Sequence, residues 1–204
     1  AHGLRASGLL NRQTVNALSS PPRSALESEI IANLERWRWL PADLGERHIA
    51  VNVPEYKLRI VEGGQVVHEA RAIVGKPDRP TPIFSDEMDH IVVNPSWTIP
   101  PTILRKDVLP AMRTDPSYAA RRGYEVFRNG RRVDPASVDW SNPRGVTFRQ
   151  PPGERNALGR IKFMFPNDFA VYIHDTPTRN LFSADRRALS SGCVRVDQPF
   201  QLAE

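Results

Sequence analysis

From residue 48 onward, apolar and polar positions alternate with the period of two that a half-buried strand requires. The pattern predicts strands over 48–53, 57–61, 65–74 and 89–94, and again over 146–150, 162–165, 169–174 and 193–196. Gly63-Gly64 lies between two such runs and predicts a hairpin turn; Asn129-Gly130 predicts another between short runs at 125–127 and 132–133. Pro54 marks a strand end or a sheet edge. Helical spacing is confined to the flanks and one internal stretch. Leu26, Ile30, Leu34 and Trp37 recur at helical intervals, behind a Ser24–Glu27 capping box and ahead of Pro41, and Trp37 and Trp39 are expected to pack. Leu104 to Met112, Pro116 to Arg122 and 178–188 predict shorter helices. Asp197 is expected to cap a final helix that has Pro199 in its first turn. The fold class is therefore mainly β with peripheral helices, α+β in kind.

The same pattern divides the chain. Residues 1–20 read as a turn and an amphipathic helix, too short to bury a core. Residues 21–47 hold a Ser/Pro linker and the helix before the strands. The main domain spans 48–204, interrupted at about 96–150 by a stretch rich in Pro, Arg and Asp. An insertion of that length in a compact domain reads as a helical and loop-built lobe, a lid or binding loop, with a purely structural embellishment as the alternative.

Charge narrows the partners. The chain carries 24 Arg and 4 Lys against 23 acidic residues, a net charge of +5. Such a surface attracts anionic polymers. No nucleic-acid recognition motif is present, so nucleic acid is not expected, whereas carboxylate-rich cell wall fits equally well. No run of 18 apolar residues exists to span a membrane, and no signal segment opens the chain. The one cysteine excludes an internal disulfide and a multi-cysteine metal site.

Chemistry concentrates between Tyr172 and Val196. A lone cysteine is ordinarily a small buried hydrophobe. Here, however, His174 ends one predicted strand and Cys193 opens another, so an imidazole can meet a thiol across a sheet. The imidazole would serve as proton acceptor and, once protonated, stabilise the thiolate. Gly192 allows a sharp turn whose N–H groups, with that of Cys193, could hold an oxyanion. Ser190 and Ser191 would shape that turn or touch substrate, and Arg195 could pair with a substrate carboxylate. A papain-type order would reverse the pair, and a phosphatase loop would need Arg where Pro199 stands. His174, Asp175 and Cys193 lack a well-spaced partner for a metal, so no metal is expected. His2, His48, His68 and His90 are expected to be structural.

These residues carry a family resemblance. His174, followed by Ser190, Gly192, Cys193, Val194 and Arg195, resembles the H-x-x-(14 to 17 residues)-S-x-G-C-V/I-R fingerprint of the L,D-transpeptidase catalytic domain, with Ser191 where many members carry histidine. The runs N-L-E-R-W-R-W-L-P at 33–41, G-K-P-x-R-P-T-P at 75–82 and N-A-L-G-R-I-K-F-M-F-P-N at 156–167 resemble the large subgroup with an inserted capping lobe. S-G-L-L-N-R-Q-T-V-N-A-L at 7–18 resembles the end of a peptidoglycan-binding module, so 1–20 reads as its remnant.

The resemblance implies a sandwich or barrel-like β domain. It implies a cysteine acyl-enzyme that takes a tetrapeptide stem as donor and a stem side-chain amine as acceptor, giving 3→3 peptidoglycan cross-links. Cys193 would be the nucleophile and His174 the base, oriented by the main-chain carbonyl of Asp175. Gly192 would help form the oxyanion hole, and Tyr172, Ser190, Ser191 and Arg195 would contact substrate. No cofactor is implied. Stem peptides, carbapenem-type β-lactams and cell-wall synthases are the implied partners, and the periplasm or cell envelope the implied location. A hydrolase acting on stems or on protein–peptidoglycan links would share the motif. A non-catalytic peptidoglycan-binding module is the alternative of another class.

Overall fold

The computed structural model describes Arg12, Val15, Asn16 and residues 23–204, without the side chains of 23–25. Of the expected module remnant at 1–20 only Arg12, Val15 and Asn16 are described; the rest of it with His2, the linker up to residue 22 and the capping-box side chain of Ser24 lie outside the described residues. The chain divides into two compact units, 1–44 and 45–204.

In the first unit, helix α1 (Arg23–Arg38) carries the expected apolar positions. They are not buried: Leu26, Ile30, Leu34, Trp37 and Trp39 are all exposed, Trp37 by 72%. Helical spacing builds an apolar stripe but supplies nothing to cover it. The other helical positions described in this unit, Arg12, Val15 and Asn16, are themselves exposed. The packing expected for Trp37 and Trp39 is therefore corrected.

The second unit is built on an eight-stranded mixed sheet. Strands β1 (Arg47–Asn52), β2 (Lys57–Glu62) and β3 (Gln65–Gly75) form an antiparallel meander. The β2–β3 turn is Gly63-Gly64, both with positive φ (53° and 76°), as a tight hairpin demands. Strands β4 (His90–Val93), β9 (Ile161–Met164) and β10 (Ile173–His174) form the other half. Between the halves sits β12 (Val194–Val196), antiparallel to β3 and parallel to β10, giving the order β1-β2-β3-β12-β10-β9-β4. A short strand, β11 (Ala188–Ser190), pairs with the end of β3.

The period of two assigns each strand's faces. Leu58, Ile60, Ala70, Ala72, Val74, Ile161, Phe163, Ile173, Val194 and Val196 all point to one side and form one core with Leu202. The intervening residues Ile73, Lys162, His174 and Arg195 therefore point to the other. Leu202 belongs to helix α4 (Pro199–Ala203). That helix does start at Pro199, but Asp197 does not cap it. The N-cap is Gln198, in a left-handed conformation at φ 57°. Asp197 instead binds Arg71, at 3.1 Å and 2.7 Å, and Arg179 at 3.2 Å. Two arginines outcompete a helix end for its carboxylate. The helix expected over 178–188 is a single 3-10 stretch, Arg179–Ser183, before the chain extends into β11. The strand expected over 169–174 is regular only at Ile173–His174.

The insertion has a sheet of its own, which corrects the helical and loop-built expectation. Strands β5 (Trp97–Thr98), β6 (Glu125–Arg128), β7 (Arg131–Val133) and β8 (Val146–Gln150) pair in the order β5-β8-β6-β7. Asn129-Gly130 makes the β6–β7 turn with φ of 50° and 79°. Helical residues 101–114, named α2 here, have a π-turn at Leu104–Val108 in their middle. Val108 and Met112 of α2 join Val126, Trp140, Val146 and Phe148 in a second core. Helix α3 (Tyr118–Arg121) contributes Ala119. The lobe thus has its own buried interior. Among the described residues no helix is long and apolar enough to cross a membrane.

Candidate active site

Strands β9, β10 and β12 each place one polar residue between two core residues or beside one, and register lines those polar residues up. His174 is opposite Lys162 on one side and Arg195 on the other. A cation from each neighbouring strand therefore flanks the imidazole on the face away from the main core.

His174 is buried, and its Nδ1–H donates to the carbonyl of Asp175 at 2.5 Å. That bond fixes the tautomer and leaves the Nε2 lone pair as the acceptor. Burial, reinforced by the positive charge of Arg195, pushes the imidazole pKa down to about 3, against the pull of the Asp175 carbonyl. The ring is therefore neutral at neutral pH and free to accept a proton. The Asp175 side chain has separate work: Oδ2 accepts from the Arg160 N–H at 2.9 Å, and Oδ1 lies 3.3 Å from Arg179. Gly159 makes room for it. A Cβ there would sit 2.3 Å from Asp175 Oδ2, and its φ of +63° also favours glycine.

Cys193 immediately precedes β12 and is half-buried. The Val194 N–H donates to Tyr172 O at 3.1 Å, which sets Cys193 alongside Tyr172. Alternation then puts Tyr172 and His174 on the same face of β10 as Cys193 and Arg195 on β12. The Tyr172 and His174 rings meet edge-on at 5.8 Å. The ring of His174 is thus one strand over and two residues along from the sulfur.

Burial pushes the Cys193 thiol up, while Tyr172, by its backbone N–H and its phenol, and the Lys162 and Arg195 charges act to hold it down. Trp97, the first residue of lobe strand β5, acts to lower the Tyr172 phenol, against the larger effect of burial. Lys162 Nζ lies over the Tyr172 ring, 3.8 Å from its centre. Arg195 Nε is buried without a hydrogen-bond partner, so the guanidinium retains a free donor.

The turn before the cysteine is tightly hydrogen-bonded. Ser190 Oγ–H donates to Cys193 O at 2.6 Å and accepts from Gly192 N–H at 3.1 Å. Gly192 has a φ of +118°, open to glycine and strained for other residues. Its N–H donates within the turn. Ser191 Oγ accepts from Arg79 at 3.1 Å. Among the described residues no group of three or more His, Cys, Asp or Glu could hold a metal ion.

The family model described as the L,D-transpeptidase catalytic domain (YkuD) matches residues 46–204, which contain the whole of this site. The chain belongs to the L,D-transpeptidase family. It is 41% identical over 202 residues to a Haemophilus influenzae protein described as "Putative L,D-transpeptidase", covering 95% of the chain and 41% of that protein. The chain thus spans about two-fifths of that relative's length. Among solved structures it resembles an L,D-transpeptidase from Mycobacterium smegmatis, 14% identical, TM-score 0.39, over 78% of this chain and 52% of that one. It also resembles LdtMt1 in complex with imipenem, 14% identical, TM-score 0.41, with the same two coverages. Those overlaps are loose, and membership rests on the sequence matches.

In this L,D-transpeptidase domain the fingerprint residues His174, Ser190, Gly192, Cys193 and Arg195 converge on one edge of the β10–β12 pair. Ser191 faces Arg79. Three neighbours lie outside the fingerprint. Lys162 reaches the site through strand register, Trp97 through the lobe and Arg79 through a loop. Lys162 is the polar residue of the otherwise apolar run I-K-F-M at 161–164. Arg79 lies in the run at 75–82 that carries part of the resemblance, although nothing in that run points to Ser191, and nothing in local sequence marks Trp97.

Proposed function

We propose that this chain forms peptidoglycan cross-links by cysteine acyl transfer. The observation that carries the proposal is a neutral, carbonyl-oriented His174 on a strand whose parallel neighbour begins directly after Cys193. Family membership supports the choice of a stem peptide as substrate.

In this reading His174 Nε2 takes the thiol proton as the sulfur attacks the carbonyl between the third stem residue and terminal D-Ala. The N–H of Cys193 donates to the developing oxyanion. The C–N bond then breaks, and the imidazolium returns its proton to the departing D-Ala amine. A thioester remains on Cys193. A side-chain amine of a second stem attacks that thioester and yields its proton to His174. The C–S bond breaks, and the thiol is restored by that same proton. Lys162 and Arg195 offset the negative charge on sulfur, and the spare donor of Arg195 suits a substrate carboxylate. The lobe covers the cleft, and its Trp97 acts on the Tyr172 phenol. Such a substrate places the protein in the cell envelope.

The decisive experiment incubates a defined tetrapeptide stem with the protein, with and without an acceptor amine, and weighs the products. A dimer lacking one D-Ala supports transfer. Tripeptide alone, whatever the acceptor concentration, would replace transfer by hydrolysis. Unchanged substrate at every protein concentration would reject both.

A further inference from the structure

Segment 76–81 folds back over Gly75 so closely that a Cβ there would lie 2.3 Å from Arg79 O and 2.5 Å from Thr81 N. The Gly75 N–H donates to Thr81 Oγ1 at 2.9 Å, which closes the arch. The arch then meets the three residues that lead into Cys193, one after another. Lys76 N–H donates to Ser190 O at 3.1 Å, Arg79 Nη1 to Ser191 Oγ at 3.1 Å, and Thr81 Oγ1 to Gly192 O at 2.8 Å.

Two of these three holds stay within the main domain. The third does not. The Arg79 guanidinium also forks onto Asp107, Nη1 to Oδ2 at 2.5 Å and Nη2 to Oδ1 at 2.8 Å. Asp107 belongs to the π-turn of α2, in the inserted lobe, while its neighbour Val108 is anchored in the lobe core. π-turns concentrate at functional positions because they re-aim side chains. The Arg79 side chain is 11% exposed and that of Asp107 39%, so the two-pronged bond is shielded from solvent on the arginine side. One side chain thus touches both the lobe and the residue two places before the nucleophile.

We propose that Arg79 is a positioning residue that couples the placement of the inserted lobe, through Asp107, to the placement of the Cys193 loop, through Ser191. When the lobe is seated, the fork fixes the guanidinium and with it the third hold on the loop. When the lobe lifts, Asp107 withdraws, and Ser191 loses a donor held in place. A lysine cannot substitute, since a single ammonium lacks the planar fork that serves two partners at once. The catalytic part of this inference rests on the reading of Cys193 as an acyl-accepting nucleophile; the coupling itself does not.

The test uses the whole chain and four variants: Arg79→Lys, Asp107→Asn, Asp107→Glu and the double variant R79K/D107N. Val126→Ala, which trims the lobe core at β6 and removes no partner of the fork, is the control. Two readouts are independent of substrate: amide hydrogen exchange across 190–194, and the rate of Cys193 alkylation by iodoacetamide. Arg79→Lys and Asp107→Asn are each expected to speed exchange at 190–194 by about threefold to tenfold and to change the alkylation rate by a similar factor. Asp107→Glu is expected to restore both, and the double variant to be no worse than either single one. Val126→Ala is expected to leave both as in the unaltered chain. The stem-peptide kcat should fall about tenfold in the two single variants, as a displaced nucleophile would cause.

Unchanged exchange and alkylation in both single variants would overturn the coupling, as would additive effects in the double variant or an equal response to Val126→Ala. If either single variant fails to fold, the remaining one and Asp107→Glu carry the same comparison. Altered exchange and alkylation with no stem turnover in any protein would leave the coupling standing and remove the transpeptidase reading instead.

Discussion

The Nδ1–H of His174 donates to the main-chain carbonyl of Asp175 over 2.5 Å, and both residues are buried. A main-chain acceptor cannot ionise, so it orients the ring without adding negative charge beside it. With burial and Arg195 both opposing the imidazolium, the ring starts each cycle neutral. The sulfur also starts protonated, because burial raises the thiol. The resting pair is therefore two neutral groups, and proton transfer must accompany attack on substrate.

That resting state predicts a pH profile. Alkylation of Cys193 by iodoacetamide should rise with a midpoint above the ordinary thiol range, about 8.5. Replacing Lys162 with Met removes a charge that favours the thiolate and should move the midpoint higher still. A midpoint below that of a free cysteine in either protein would contradict the electrostatics described here.

Stability should respond to acid through the same histidine. An unfolded chain protonates His174 near its ordinary value of 6.5, whereas the folded chain resists down to about 3. Between those values the unfolded state binds the extra proton, so stability rises with pH. The contribution is fully present above about 6.5 and is lost progressively as pH falls toward 3. Urea midpoints of the unaltered chain and of His174→Gln, measured at pH 7 and 4.5, give the test. The unaltered chain should lose more on acidification; equal losses would argue against a buried, neutral imidazole.

Cys193→Ala should abolish stem turnover, by a factor on the order of 10⁴ or more, while leaving the circular dichroism spectrum and melting temperature near those of the parent. The side chain makes no disulfide and removes little volume, so folding has no need of it. Residual turnover within tenfold of the parent would place the nucleophile elsewhere.

A strained acyl electrophile should be trapped by the same sulfur. Intact-mass spectrometry after incubation with a carbapenem is expected to show one covalent adduct, absent from Cys193→Ala. No adduct on the parent chain after long exposure would weigh against an acyl-accepting thiol.

Gly159→Ala is expected to cost about 2 kcal/mol or more, since it adds a left-handed backbone penalty to a collision with Asp175. The denaturant midpoint measures it. A variant as stable as the parent would mean that the Asp175 carboxylate can move without consequence.

Much of the site could be read in advance because its parts follow local rules. The period of two in I-K-F-M, I-H and V-R-V sorts core from face, and Gly63-Gly64 and Asn129-Gly130 advertise their turns. The distance between His174 and Cys193 in sequence matters little once parallel pairing is granted. What local rules could not supply was partnership between distant segments. Asp197 had the chemistry of a helix cap, but Arg71 and Arg179 arrive from elsewhere and claim it. Arg79 is one arginine among many until the lobe brings Asp107 to it. The stripe on α1 shows the opposite failure, a pattern read correctly with no cover among the described residues of its unit.

The position of β12 bears on how the thiol is held in place. That strand joins β3 to β10, and without it the path of the large sheet is broken into two separate halves. The residue just before it is Cys193. The pairing that completes the sheet is therefore the same pairing that sets Cys193 alongside Tyr172. Loosening β12 would cost the continuity of the scaffold and the placement of the thiol together.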